Sequence, residues 1–104
     1  MKNLNTTTAN YETILDLKEE NPQMFAFKMV AELQLTHHEV KVITALCDDD
    51  FFQDSGETWI EGFAEDNDIN PRSFSGILSS LVKKGFVQTN GEYFGLTQDF
   101  FSNF

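Results

Sequence analysis

The chain has 104 residues, a formal net charge of −10 and a pI near 4.3. This length predicts one domain, and the single cysteine, Cys47, excludes an internal disulfide. No apolar run occurs in the first ten residues, and none approaches the ~20 residues of a membrane span, so the sequence predicts a globular cytoplasmic protein.

The N-terminal third predicts a polar flexible segment followed by helices. Residues 1–8 are polar, and residues 9–34 carry two helical patterns. In the second pattern, Asn21 is suited to the N-cap and Pro22 to the first helical position. Because this helix is apolar nearly all round, we expect it to be buried, partly by a partner chain.

The clearest helix start in the sequence follows at Thr36. Glu39 stands three residues later, which is the spacing of a capping box. His37 and His38 fall in the first turn with no further ligand at helical spacing, so we expect solvated histidines rather than a metal site. Cys47 lies in an apolar helical run and is predicted to be a small buried hydrophobe.

A further helix with an acidic outer face is predicted over residues 58–66. Trp59 or Ile60, Phe63 and Ala64 would form its inner face. The outward-facing acids would be Glu57, Glu61, Glu65 and Asp66.

The stretch "NPRSFSGILSSLVKKGFV", residues 70–87, predicts an amphipathic helix with clear ends. Asn70 can cap it, Pro71 fits its first position, and Gly85 can end it in the left-handed conformation. Its apolar face holds Phe74, Ile77, Leu78, Leu81 and Val82. Its opposite face holds Arg72, Gly76, Ser79, Ser80 and Lys83, with Ser73 and Ser75 at the edges.

The C-terminal region predicts a β-hairpin and an aromatic tail. Asn90-Gly91 favours a two-residue type I′ turn between two strands. The tail, residues 99–104, holds Phe100, Phe101 and Phe104. Two roles stay open for these rings: packing on the core or forming an association surface.

Three segments together resemble winged-helix proteins of the MarR-like type, such as the small ones found in bacteria and phages. "LTHHEVKVITAL" is similar to their first helix, "WIEGFAEDNDINPRSFSGILSSLVKKGFV" to their helix-turn-helix and "QTNGEYFGLT" to their wing. The likeness covers residues 35–98. It implies a mainly α fold with a small β-hairpin, arranged as a winged helix-turn-helix.

The resemblance also implies a small transcriptional regulator that reads duplex DNA with residues 70–84. Arg72, Ser73 and Ser75 would reach base edges, on a face whose Gly76 and Ser79 allow close approach. Lys83, Lys84 and Asn90 would contact the phosphate backbone. A homodimer formed through the N-terminal helix and the Phe-rich tail would double these contacts.

The charge distribution keeps a second hypothesis open. Residues 48–68 hold nine acidic residues and no basic one, whereas residues 69–91 hold three basic residues and no acidic one. The first window favours an interaction module whose acids Glu57, Glu61, Glu65 and Asp66 dock on a basic partner in transcription or replication machinery, or imitate DNA. A third hypothesis gives the fold only an assembly role through its tail.

Other chemistry finds little support in the sequence. Asp66, Asp68 and Asn70 match the start of a calcium loop, but Pro71 and Ile77 stand where glycine and glutamate are required. No phosphate-binding glycine loop or catalytic set of Ser, His and Asp can be argued from spacing. We therefore expect neither an enzyme nor a bound cofactor.

Overall fold

The computed structural model describes residues 8–104, with side chains described from residue 12 onward. The predicted flexible segment 1–8 lies, apart from Thr8, outside these residues. The helices are α1 (Thr8–Glu20), α2 (Pro22–Phe27), a π-helical segment (Lys28–Glu32), α3 (His37–Cys47), α4 (Asp50–Ser55), α5 (Phe63–Asp66), α6 (Pro71–Lys83) and α7 (Gln98–Phe101). The strands are β1 (Thr58–Trp59), β2 (Val87–Thr89) and β3 (Tyr93–Leu96).

The predicted helix starts are confirmed by side-chain caps. Asn21 accepts a hydrogen bond from the Met24 amide, and Pro22 opens α2. At α3, the Thr36 hydroxyl accepts from the Glu39 amide while the Glu39 carboxylate accepts from the Thr36 amide. Each cap satisfies amides that have no partner within the first turn, so local sequence fixes where these helices begin.

The helix predicted over residues 58–66 is wrong. Thr58 and Trp59 form β1 instead, and only Phe63–Asp66 are helical. Two glycines with positive φ interrupt the segment, Gly56 at 83° and Gly62 at 84°. Thr58 and Trp59 between them are β-branched and aromatic, and they pair with Phe94 and Tyr93. The strand partner comes from a distant part of the chain, which local periodicity does not contain.

The three strands form one antiparallel sheet in the order β1-β3-β2. The predicted hairpin is confirmed, but its type I′ turn is wrong because only Gly91, at φ 95°, has positive φ and Asn90 does not. Asn90 instead holds the turn through its side chain, whose Oδ1 accepts from the amides of Glu92 (3.0 Å) and Tyr93 (2.9 Å). The described chain is therefore mainly helical with a small antiparallel sheet.

The core gathers side chains from every helix, the hairpin and the tail. From α6, Phe74, Leu78 and Leu81 are buried as predicted, whereas Val82 is 39% exposed and lies at the edge of the apolar face. Phe74 stacks on Phe63 with ring centroids 5.3 Å apart.

The Phe-rich tail packs back on the core rather than standing in solvent. Phe100 and Phe101 are buried, and the Phe104 ring lies 5.6 Å from that of Phe25 and 5.1 Å from that of Phe100. The tail therefore covers the N-terminal helices. In the part of the chain that the structure describes, no helix has the length and apolar character needed to cross a membrane.

Burial of the second N-terminal helix is confirmed on one side only. Phe25 and Met29 are buried, but Met24, Phe27 and Val30 are 43%, 60% and 53% exposed. These three stand at three-residue steps, so they form one exposed stripe, called here the α2 stripe.

Candidate nucleic-acid interface

The outer face of α6 carries six of the eight predicted DNA-contacting residues in exposed positions. They are Arg72, Ser73, Ser75, Gly76, Ser79 and Lys83. Asn70 orients the helix, since its Oδ1 accepts from the amides of Arg72 (2.9 Å) and Ser73 (3.4 Å). A Cβ atom built on Gly76 would meet nothing within 4 Å, so the surface at this position is open.

Lys84 forms an ion pair that the sequence did not predict, while its proposed phosphate contact stays a prediction. Its Nζ lies 2.6 Å from Oε1 of Glu39, which is only 2% exposed, and it also donates to the carbonyl of Gln34 at 3.4 Å. The second carboxylate oxygen of Glu39 accepts from the Ser80 hydroxyl at 2.7 Å. Lys84 therefore joins the end of α6 to the start of α3.

The network around Glu39 keeps this buried carboxylate charged. Burial acts to raise its pKa, but the hydrogen bonds from Lys84, Thr36 and Ser80 outweigh it, so the pKa of Glu39 lies below its ordinary value. A charged Glu39 in turn holds Lys84 in place. The contact therefore has a structural role, because it neutralises a carboxylate that is buried between α3 and α6.

Two residues from α3 extend the basic surface, and sequence reasoning missed them. His38 and Lys41 line a cleft of about 150 Å³ together with Ser73 and Ile77 of α6. The Nζ of Lys41 donates to the backbone carbonyl of Asp68 at 3.2 Å, and the Asp68 carboxylate is the one acid lining this cleft. His38 and Lys41 stand three residues apart, a helical spacing that could have suggested one shared face.

The hairpin adds no positive charge to this face. Asn90, Gly91 and Glu92 at its tip are exposed, and Glu92 is acidic. Because the Asn90 Oδ1 is occupied within the turn, its amide NH₂ is the part left to meet a phosphate.

The four acids of the alternative protein-binding set differ in exposure and in the cleft that they line. Glu57 was predicted to face outward but is only 4% exposed, and it stands between Gly56 and β1 rather than on a helix. Glu61 and Asp66 line a cleft with Asp49 and Trp59, which contains no residue of α6. Glu65 is exposed but does not line that cleft. The acidic cleft and the cleft beside α6 thus share no lining residue.

The two histidines and the cysteine are the remaining candidates for a metal ligand or a nucleophile. His37 and His38 are exposed, and among residues the structure describes no three His, Cys, Asp or Glu side chains could hold a metal ion together. Cys47 is buried, as predicted, and burial raises the pKa of its thiol to about 12. At neutral pH this thiol is protonated and a poor nucleophile.

Comparison with known proteins identifies no family for this chain. No family model matches the sequence, and neither a curated protein nor a solved structure matches it.

Proposed function

We propose that this chain is a winged-helix protein that binds duplex DNA with the outer face of α6. The helix-turn-helix of α5 and α6, followed by the β2–β3 hairpin, supports that layout. The main support for the proposal is the surface around α6. Residues 69–91 contain no acid, and Lys41 and His38 of α3 line a cleft beside this helix. Short serine and glycine side chains let the helix backbone approach a major groove.

The acidic net charge limits affinity without forbidding binding. Glu61 and Asp66 line a cleft that contains no residue of α6. Salt screens the repulsion between charges that are more than roughly 8–10 Å apart. Among the described residues, Arg72, Lys83 and Lys41 are the cations near α6 that form no ion pair. Three phosphate contacts predict a salt slope of about −3 per chain, well below the 6–10 contacts of strong binders.

A second copy would supply the missing charge, and the α2 stripe supports a dimer. Met24, Phe27 and Val30 are exposed apolar side chains on one helical face. Phe100 and Phe101 are buried within their own chain. We therefore place the dimer contact on the α2 stripe rather than on the tail. Two-fold pairing would present two α6 helices to two half-sites.

Fluorescence anisotropy with a pool of random 24-base-pair duplexes at ~50 mM salt tests the proposal. We expect saturable binding that weakens steeply with salt. Arg72→Ala and Lys83→Ala should each weaken it by roughly 5- to 30-fold, corresponding to about 1–2 kcal/mol per lost charged hydrogen bond.

Two substitutions at Gly76 provide a matched control. Gly76→Glu places a carboxylate on the open face and should abolish duplex binding, while Gly76→Ala should leave the fold intact and most of the binding unchanged. Absence of any saturable binding at ~50 mM salt, or equal loss with both Gly76 variants, would contradict the proposal.

A further inference from the structure

We propose that the cleft around Trp59 binds an arginine or lysine side chain from a basic segment of a partner protein. This surface is distinct from the α6 face and does not depend on DNA binding. Phe51 of α4 and Trp59 of β1 line it, and the ring of Tyr93 of β3 packs against both. These three residues are called here the aromatic cluster.

The aromatic cluster is a preformed and partly exposed surface. The Trp59 and Tyr93 ring centroids are 4.3 Å apart, and the Phe51 centroid lies 6.2 Å and 6.3 Å from them. Pairing of Trp59 with Tyr93 across β1 and β3 fixes their positions. Even so, Trp59 is 47% exposed and Phe51 39% exposed. Exposed large aromatic side chains gathered at one place are typical of binding sites.

Acids surround the aromatic cluster on two sides. A cleft of about 440 Å³ beside Phe51 and Trp59 is lined by Asp49, Glu61 and Asp66. A second cleft on the other side of Trp59 is lined by Glu61 and Glu92. Neither lining includes a lysine or arginine. Among described residues, Glu61, Asp66 and Glu92 take part in no ion pair.

Aromatic faces and unpaired carboxylates together select a cation with an apolar stem. The face of an indole ring attracts a guanidinium or ammonium group, and the effect grows when the group is partly removed from water. The hydrocarbon stem of arginine or lysine packs on the rings while its charged head reaches the carboxylates. An anionic or neutral apolar partner would leave these acids opposed or unpaired.

Trp59 is the only tryptophan in the chain, so its fluorescence reports directly on this cleft. The probe is a nine-residue peptide of Gly and Ser with three arginines, compared with the same peptide carrying lysine or glutamine in their place. At ~50 mM salt we expect saturable quenching or a shift of Trp59 emission with the arginine peptide, a weaker effect with the lysine peptide and none with the glutamine peptide.

Acid-to-amide variants separate this cleft from general attraction to a chain of charge −10. Glu61→Gln and Asp66→Asn should each weaken arginine-peptide binding about 3- to 10-fold. Glu65→Gln removes the same charge from an exposed acid that lines neither cleft, so it should change affinity less than 2-fold. Binding to Trp59→Ala, followed by calorimetry, should fall at least as much as for Asp66→Asn.

Several outcomes would overturn the proposal. Equal weakening by Glu65→Gln and Asp66→Asn would show nonspecific attraction. Equal response to the glutamine peptide would show an apolar site. Equal affinity for tetramethylammonium alone would assign the cleft to small cations. A Trp59 emission that changes with protein concentration, without peptide, would assign it to a second copy of the chain.

Discussion

At the scale of single residues, the contact between Lys84 and Glu39 distinguishes two adjacent lysines. Lys83 and Lys84 are adjacent in the sequence, and both suit the last turn of a helix. Only the fold reveals that Lys84 neutralises a buried carboxylate 45 residues away while Lys83 stays exposed. Sequence reasoning could not distinguish them because the acid that binds Lys84 lies on another helix.

Replacing Lys84 by Met should destabilise the protein in a pH-dependent way. At pH 7 we expect a loss of roughly 2–4 kcal/mol in unfolding free energy, because Glu39 would remain buried without its cation. In the native protein the lowered pKa of Glu39 gives stability that is present above its unfolded pKa of about 4.3 and is lost as pH falls through the lower folded value. In Lys84→Met, burial would be opposed only by the hydrogen bonds from Thr36 and Ser80. The pKa of Glu39 would therefore rise from its native value, and the variant would lose part of this stability.

Urea denaturation of both proteins between pH 3 and pH 8 measures the difference. The deficit of Lys84→Met should shrink at low pH, where Glu39 is neutral, and adding Glu39→Gln should recover part of it. A deficit that is constant across this range would show that Lys84 acts without Glu39.

Cys47 should be unreactive in the native state because its thiol is buried with a pKa near 12. At pH 8 we expect a thiol reagent such as Ellman's to label it at least about 100-fold more slowly than in 6 M guanidinium, where an ordinary thiol pKa of ~8.5 returns. Full labelling of the folded protein within a minute would mean that Cys47 reaches solvent.

At the scale of elements, the helices were more predictable than the sheet. The caps of α2, α3 and α6 are formed by residues within three positions of one another, so the sequence contains the whole signal. Strand β1 has two residues and exists through pairing with β3, where Thr58 pairs with Phe94, 36 positions along the chain. The acidic residues around β1 are spaced like those on the outer face of a helix. The sequence therefore predicted that Glu57 faces solvent.

Gly95 of β3 tests how closely the sheet packs on the turn after α4. A Cβ at this position would clash with the carbonyl oxygen of Gly56, a backbone atom with little freedom to move. We expect Gly95→Ala to cost about 2–3 kcal/mol and to lower the melting temperature by roughly 8–20 °C, as measured by circular dichroism. Gly76→Ala is the control, since its site is open and alanine favours a helix interior by about 1 kcal/mol, so it should melt slightly higher.

At the scale of the whole molecule, the net charge of −10 is distributed unevenly along the chain. The candidate DNA face was placed on α6 from the sequence, because an acid-free window and a capped amphipathic helix are both visible there. The cleft between α3 and α6, the ion pair between Lys84 and Glu39 and the aromatic cluster could not be predicted. Each depends on elements distant in sequence that pack side by side.

Association through the α2 stripe should be separable from DNA contact. Phe27→Glu places a charge on a side chain that is 60% exposed, so it should change stability by less than about 0.5 kcal/mol while weakening dimerisation at least 10-fold. Sedimentation equilibrium between 1 and 100 μM measures this. Ser75→Glu adds the same charge on α6 and should leave association intact while reducing duplex binding. A wild-type protein that is monomeric throughout this range would refute the dimer.

The packing of the tail on the N-terminal helices also affects how the chain folds during synthesis. Phe104 contacts Phe25, and Lys28 donates to the carbonyl of Asn103 at 3.2 Å. A ribosome therefore releases α1 and α2 long before the residues that cover them exist. Until residues 100–104 leave the exit tunnel, the first apolar helices stay open to chaperones and to neighbouring nascent chains. The contacts that Phe25 and Lys28 make with the tail therefore form only after residues 103 and 104 have been synthesised.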